Sequence, residues 1–323
     1  MTVHVIATGG TISSHFDGTA WTNIDGAGLI AELGDASALG VVVSDVASGP
    51  SSNLTVLDMV GIAESVRDAI AAGATGVVVV HGTDTMELTA FVCQLVLGVS
   101  SDRRPVVFTG SMRVHSHAAP DGPANLRDAI AVAASDAAVG REVMVCLEGT
   151  VHAADRATKC HAASIDAFQS APFEPIGCVV DGAPVFTVTP VERPAATGFV
   201  ADVPLVTSYP GVDAAVLETA LAGVPAAVVE GFGDLNVPQQ LWGPIHRAWN
   251  RGALVVLASR PFTPTATNPD LSMLGAVGAG GLTAQKARLA VMAALGSTAD
   301  RDAAVAFFHQ LALSYVAGDR STS

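Results

Sequence analysis

Short apolar runs of Val, Ile and Ala recur through the first half of the chain, broken by Gly, Asp or Thr: VHVIA, VVVSDV, GVVVV, PVVFTG and EVMVCL. Runs of this length, apolar on both faces of the pleat, are those of strands buried within a parallel sheet. Between them, LDMVGIAESVRDAIAAG and MELTAFVCQLVLG space their apolar residues at helical period. The alternation predicts an α/β domain whose mainly parallel sheet is flanked by helices. In such sheets ligands gather outside the carboxyl ends of the strands.

Residues 189–204 are interrupted by Pro190, Pro194 and Pro204 and keep no period, so the linker is expected there. The pattern then restarts. PLVTSY, AAVVEGF and ALVVLAS read as strands, with DAAVLETALAG and PQQLWGPIHRAWNRG as helices between them. Residues 261–281 are rich in Pro, Thr and Gly and read as irregular, while TAQKARLAVMAALG and DAAVAFFHQLALSYV close the chain as helices. The expected organisation is a larger N-terminal catalytic α/β domain over 1–188, a linker over 189–204 and a smaller C-terminal α/β domain over 205–323.

Half of the 323 residues are hydrophobic, yet no apolar stretch approaches the roughly 18 to 20 residues of a membrane span. The opening MTVHVIATGG has no basic segment followed by a long apolar one and reads as a first strand, so a cytoplasmic enzyme with no membrane partner is expected. A formal charge of -14 would repel a polyanion, which excludes nucleic acid as a partner. Cys93, Cys146, Cys160 and Cys178 fall at wide, irregular spacings and read as reduced core thiols rather than a disulfide or zinc framework. Of the 16 basic residues only Lys159 and Lys286 are lysines, so each draws notice.

The first strand runs into Thr8-Gly9-Gly10-Thr11-Ile12-Ser13, where two glycines allow positive φ and bring a hydroxyl to the strand end. The run lacks the phosphate-cradling GxxxxGK[ST] and GxGxxG patterns. A second strand runs into His81-Gly82-Thr83-Asp84-Thr85-Met86-Glu87, in which Asp84 and Glu87 also fit a helix capping box. A third turn, Thr109-Gly110-Ser111-Met112-Arg113, leads to a helix start at Asp121-Gly122-Pro123. A threonine hydroxyl is a weak nucleophile and needs a base or cation beside it, a part that a buried lysine can take. Lys159, in Asp155-Arg156-Ala157-Thr158-Lys159, follows EVMVCL and could reach the same crevice. His115 and His117, two apart on a loop, read as solvated rather than as metal ligands, and His81 reads as a satisfied strand-end histidine. Trp242 and Trp249, seven apart on a helix, read as packing or a subunit interface.

Taken together, TGGTIS at 8–13, HGTDTME at 81–87, TGSMR at 109–113 with DGPANL at 121–126, and DRATK at 155–159 resemble the successive signature segments of the bacterial-type L-asparaginase family. GFGDLN at 231–236 and LTAQKAR at 282–288 extend the resemblance more loosely. The resemblance implies hydrolysis of L-asparagine to L-aspartate and ammonia through an acyl-enzyme, without metal or organic cofactor. It implies Thr11 as nucleophile, and Thr83, Asp84 and Lys159 as a second catalytic constellation. Ser48, Gly49, Asp84 and Asn236 would bind substrate, Asn236 in the site of a neighbouring subunit, which implies a homo-oligomer built as a dimer of dimers. Three positions depart from the family. Its loop tyrosine has no counterpart near Trp21 and Thr22, since the tyrosines are Tyr209 and Tyr315; Gly49 stands where a glutamine is usual; and Asp270 is the remaining candidate for an acidic residue of the C-terminal domain. Those departures keep open L-glutamine, a D-amino acid amide or a larger amide as substrate, and a non-catalytic amino-acid sensor.

Overall fold

The computed structural model describes residues 2–34, 40–261, 268 and 270–317, with side chains as far as Ala312. They gather into two compact units, Met1–Glu192 and Arg193–Ser323.

The first unit begins with β1 (Val3–Ala7), a small hairpin of β2 (Ser14–Phe16) and β3 (Trp21–Asn23), α1 (Gly26–Ala31) and β4 (Val42–Asp45). It continues through α2 (Val56–Ala71), β5 (Gly76–Val80), α3 (Met86–Leu97), β6 (Val106–Thr109), α4 (Gly122–Ala133) and β7 (Met144–Leu147). It ends with β8 (Thr150–Ala153), a two-stranded ribbon of β9 (Thr158–Lys159) and β10 (Phe168–Gln169), and a second hairpin of β11 (Gly177–Val180) and β12 (Ala183–Phe186). The main sheet has eight strands in the order β12-β11-β8-β7-β6-β5-β1-β4.

From β7 to β4 every neighbouring pair is parallel. The remaining pairs, β7 with β8, β8 with β11 and β11 with β12, are antiparallel. The sheet is therefore mainly parallel with an antiparallel extension that the Val-rich pattern did not reveal, because its strands are short and carry Thr, His and Pro. Every residue of β5 is buried, as a central strand covered on both faces must be. Leu29 of α1 and Leu126 and Ile130 of α4 join Val78, Val80, Val107 and Met144 in one apolar cluster.

The order of the parallel strands decides where a ligand can sit. From β1 the chain moves outward to β4, then returns past β1 to β5 and proceeds the other way to β6 and β7. The loops leaving β1 and β5 thus part company, and such a switch point opens a crevice at the carboxyl ends of the two strands.

The second unit holds four parallel strands in sequential order, β13 (Leu205–Thr207), β14 (Ala226–Gly231), β15 (Leu254–Ser259) and β16 (Val277–Gly278). Helices α5 (Ala214–Ala220), α6 (Trp242–Asn250), α7 (Leu271–Leu274), α8 (Ala284–Ser297) and α9 (Arg301–Ala317) complete it. Trp249 packs beneath the Arg301 guanidinium, 4.2 Å from its ring centroid, whereas Trp242 is exposed. Lys286 is fully buried on α8. Asp270 stands at the start of α7 without a side-chain capping bond. Much of the irregular stretch expected before it, residues 262–267 and 269, lies outside the described residues, as does the side chain of Tyr315.

Candidate active site

Both loops at the switch point are made by glycine. Gly9 and Gly10 adopt φ of 85° and 97°, in the left-handed region that L side chains avoid. A Cβ on Gly10 would stand 2.5 Å from Gly82 Cα, and one on Gly9 would stand 2.8 Å from Gly49 N. Three loops, 8–11, 48–51 and 81–84, therefore touch backbone to backbone at a distance that only glycine permits. Thr8 Oγ1 fastens the first to the second strand by donating to Val80 O at 2.9 Å. Thr85 Oγ1 donates to Ser51 O, also at 2.9 Å.

The contact creates a pocket of about 200 Å³ lined by Gly10, Thr11, Ser14, Asn23, Gly49, Pro50, Ser51, Gly82, Thr83 and Asp84. Thr11 opens a single 3-10 turn, Thr11–Ser13, and is half-buried; Thr83 is 5 % exposed. Lys159 comes from the β9–β10 ribbon. Its Nζ donates to Thr83 Oγ1 at 2.9 Å and to Asp84 Oδ1 at 2.8 Å. Its backbone N–H donates to the Glu87 carboxylate. The lysine side chain is 17 % exposed, so it is not the solvated surface residue that lysines usually are. A primary amine so placed can order the threonine hydroxyl as an ammonium or take its proton as a free amine.

The capping box offered by Asp84 and Glu87 does not form. The N-cap of α3 is Thr85, with no side-chain capping bond. Asp84 faces Lys159 Nζ and Glu87 faces the Lys159 backbone, so both carboxylates serve the lysine instead of the helix.

The structure brings Thr11, Gly49, Thr83 and Asp84 into one pocket, with Lys159 on its border. Ser48 is exposed and lies beside this group, its Cα 3.3 Å from where a Cβ on Gly9 would stand. Asn236 belongs to the second unit, where its side chain donates to Gly233 O at 2.9 Å. Among the described residues none hydrogen-bonds the Thr11 hydroxyl. The third turn plays another part. Thr109 Oγ1 donates to Cys146 O and Ser111 Oγ to Arg113 O, while Asp121 accepts the backbone N–H groups of Met112 and Arg113. The Thr109 hydroxyl thus ties β6 to β7 and that of Ser111 closes the loop, and neither donates to a residue lining the pocket.

Sequence reasoning missed Ser14, Asn23 and Ser51. The loop expected around Trp21 and Thr22 forms part of the β2–β3 hairpin, in which Ser14 and Asn23 are cross-strand partners. Asp17 builds its turn, accepting from the Thr19 hydroxyl and from the backbone N–H groups of Thr19 and Ala20; the hydroxyl first and then the amides hold its carboxyl down at about 2. The Asp17-Gly18 pair is a turn signal in the sequence, but three-residue strands give no usable period.

Other expectations change in detail. Cys93 and Cys146 are buried as expected, and burial pushes their thiols up, that of Cys93 to about 12; Cys160 and Cys178 are exposed. His81 is fully buried, its Nδ1 paired with Gly82 O at 2.8 Å, but its Nε2 meets no partner among the described residues. Burial pushes its pKa down to about 4, only partly opposed by the Gly82 carbonyl. His115 is not solvated: its Nε2 lies 2.6 Å from Glu32 Oε2. A larger cavity of about 420 Å³ opens beside Glu148, His152 and Asp166 and contains neither Lys159 nor a threonine of the two glycine turns. Among the described residues no helix is long and apolar enough to cross a membrane.

Residues 2–192 match the model of the N-terminal asparaginase domain, and residues 202–308 match that of the glutaminase/asparaginase C-terminal domain. A probable L-asparaginase of Deinococcus radiodurans is 34% identical over 316 residues, covering 92% of this chain and 94% of its own. A component of the glutamyl-tRNA(Gln) amidotransferase of Halobacterium salinarum is 31% identical over 340 residues, covering 94% of this chain and 77% of its own. Among solved structures, a probable cytoplasmic L-asparaginase from Campylobacter jejuni superposes with a TM-score of 0.85 at 30% identity, covering 95% of this chain and 99% of that one.

Proposed function

The chain belongs to the asparaginase family and is an amidohydrolase, and from that premise we propose that it hydrolyses L-asparagine to L-aspartate and ammonia through a threonine ester. The observation that carries the reading is Lys159 Nζ, 2.9 Å from Thr83 Oγ1 and 2.8 Å from Asp84 Oδ1, at the border of a pocket that also holds Thr11. A nucleophile and its lysine are what a reaction needs and what an amino-acid sensor would not.

In this reading the Thr11 oxygen attacks the side-chain amide carbon. The carbon–nitrogen bond breaks, and ammonia leaves with the hydroxyl proton. Water, activated through Thr83 and Lys159, then attacks the ester, releases aspartate and restores the hydroxyl. Backbone N–H groups of the glycine turns would hold the developing oxyanion, each good donor being worth about 3 to 4 kcal/mol in comparable sites. Asp84 would take the substrate α-amino group, and Ser48 and Gly49 its carboxylate. Asn236 would reach the site of a neighbouring subunit in a dimer of dimers, and the enzyme would work in the cytoplasm without metal or cofactor.

A second reading rests on a specific observation: Thr83, not Thr11, carries the amine on its hydroxyl. In that case Thr83 attacks and Thr11 orients the amide. Mass spectrometry of the quenched enzyme separates the two, because the ester sits on the peptide of residue 11 or that of residue 83.

The pocket volume of about 200 Å³ favours an amino-acid-sized substrate over a larger amide, since sites for drug-sized ligands measure about 300 to 1,000 Å³. L-glutamine and D-amino acid amides remain on the same scaffold, and a substrate panel ranks them. The deciding experiment is ammonia release from millimolar L-asparagine by the purified protein, with Thr83→Ala as control. Release that vanishes in the variant supports the reading; none from the folded wild type overturns it in favour of another amide.

A further inference from the structure

The β2–β3 hairpin supplies two residues of the pocket wall, Ser14 and Asn23, which share one hairpin face as cross-strand partners. His15, between Ser14 and Phe16, points the opposite way by strand alternation. There its Nδ1 lies 3.3 Å from His115 Nδ1, the ring centroids 5.5 Å apart. On the far side of that ring, His115 Nε2 lies 2.6 Å from Glu32 Oε2, one residue beyond α1. The backbone follows the same line: His115 N–H donates to Ser14 O at 2.9 Å, and Phe16 N–H donates to Ser116 Oγ at 3.1 Å. The proposed reaction uses none of these three side chains.

The proton arrangement makes the contact directional. Two facing Nδ1 atoms share one hydrogen, so one ring donates and the other accepts. A carboxylate only accepts, so Glu32 draws the Nε2–H of His115 and fixes that ring. A neutral His115 then presents a bare Nδ1 to the N–H of His15, and a protonated one donates to His15 instead. The bond survives in both forms, and either way the hairpin is tied to the loop of residues 113–117 and, through Glu32, to the end of α1.

We propose that His15, His115 and Glu32 form a clasp that positions the β2–β3 hairpin, and with it Ser14 and Asn23, against Thr11. The proposal rests on the amidase reading of the pocket. None of the three is among the residues lining the pocket, so they act as positioning residues. Without the clasp the hairpin keeps its own turn, built by Asp17, and the two bonds from Ser14 O and Phe16 N–H to residues 115 and 116, but loses its side-chain tie to His115 and Glu32.

The test compares the full-length wild type with His115→Ala and the conservative His115→Gln, whose amide can still donate and accept. Hydrogen exchange of the peptide spanning residues 14–24 reads the hairpin independently of activity. His115→Ala is expected to speed that exchange while distant helices keep wild-type protection, and to raise KM about tenfold, below the roughly 10²-fold that a misplacement of about 1 Å can cost. A merely destabilised protein would lose active fraction and therefore kcat, leaving KM unchanged. His115→Gln should restore both readouts. Unchanged exchange in His115→Ala overturns the clasp. Faster exchange with KM within twofold of wild type overturns its positioning role. A wild type that hydrolyses no amide removes the amidase reading and the positioning role with it, and the exchange comparison registers the clasp separately.

Discussion

Replacing Lys159 by methionine removes the amine that touches Thr83 while keeping the length and much of the packing of the side chain. Two bonds disappear, those from Nζ to Thr83 Oγ1 and to Asp84 Oδ1. The cost to stability is small, because the Asp84 side chain is 64% exposed and pairs of this kind contribute about 0 to 1 kcal/mol after solvent screening. The cost to catalysis is large. A positioned acid–base group contributes about 10² to 10⁴ in rate, which is roughly 3 to 5 kcal/mol of barrier. Coupled detection of ammonia from L-asparagine should therefore show kcat lowered by about 10² to 10⁴ in a protein whose thermal unfolding is nearly unchanged. Lys159→Arg discriminates charge from proton transfer, since arginine keeps the cation and its hydrogen bonds but cannot give up a proton. It should remain within about tenfold of the methionine variant. The reasoning fails if Lys159→Met stays within a few-fold of wild type, and the base role fails if Lys159→Arg recovers most of the rate.

Thr11→Val, which keeps the shape and deletes the hydroxyl, should abolish turnover without altering the far-ultraviolet circular dichroism; persistent turnover assigns the attack to Thr83. Gly10→Ala forces a Cβ to within 2.5 Å of Gly82 Cα at a φ of 97° and should cost about 1 to 3 kcal/mol or more in strain, read as a lowered denaturant midpoint. For His81 the sign follows from a folded pKa of about 4 against an ordinary 6.5: the unfolded chain binds the proton more readily, so stability is full above pH 6.5, falls as pH drops, and levels off below 4. The loss between pH 7 and pH 5 is about 2 kcal/mol, measurable by denaturant unfolding, and His81→Leu should flatten that slope. An unchanged slope in the variant would show that another group carries it.

Much was legible in the sequence because the information is local. GVVVV is apolar at every position, which only a strand covered on both faces requires, and it became the central β5. Gly9 and Gly10 before Thr11, and Gly82 before Thr83, mark strand ends where the backbone must turn sharply and something must come close. A chain that otherwise uses arginine made Lys159 conspicuous, and its ammonium does meet Thr83 and Asp84. The motifs in their order carried the family.

Tertiary structure alone decided what depends on residues distant in sequence. Asp84 and Glu87 fit a capping box as well as they fit a lysine, and only the arrival of β9 from 72 residues away gave Glu87 its backbone partner. Ser14 and Asn23 entered the pocket because a hairpin too short to show a period folded over Thr11, and the 8–11, 48–51 and 81–84 loops meet because the strand order, not the strand sequences, sets β1 between β4 and β5. His115 read as a solvated loop residue because Glu32 and His15 lie 83 and 100 residues from it. Periodicity and turn chemistry fix which way a segment bends and which face it buries; which segments then meet is set by packing them all at once, and the site is made where they meet.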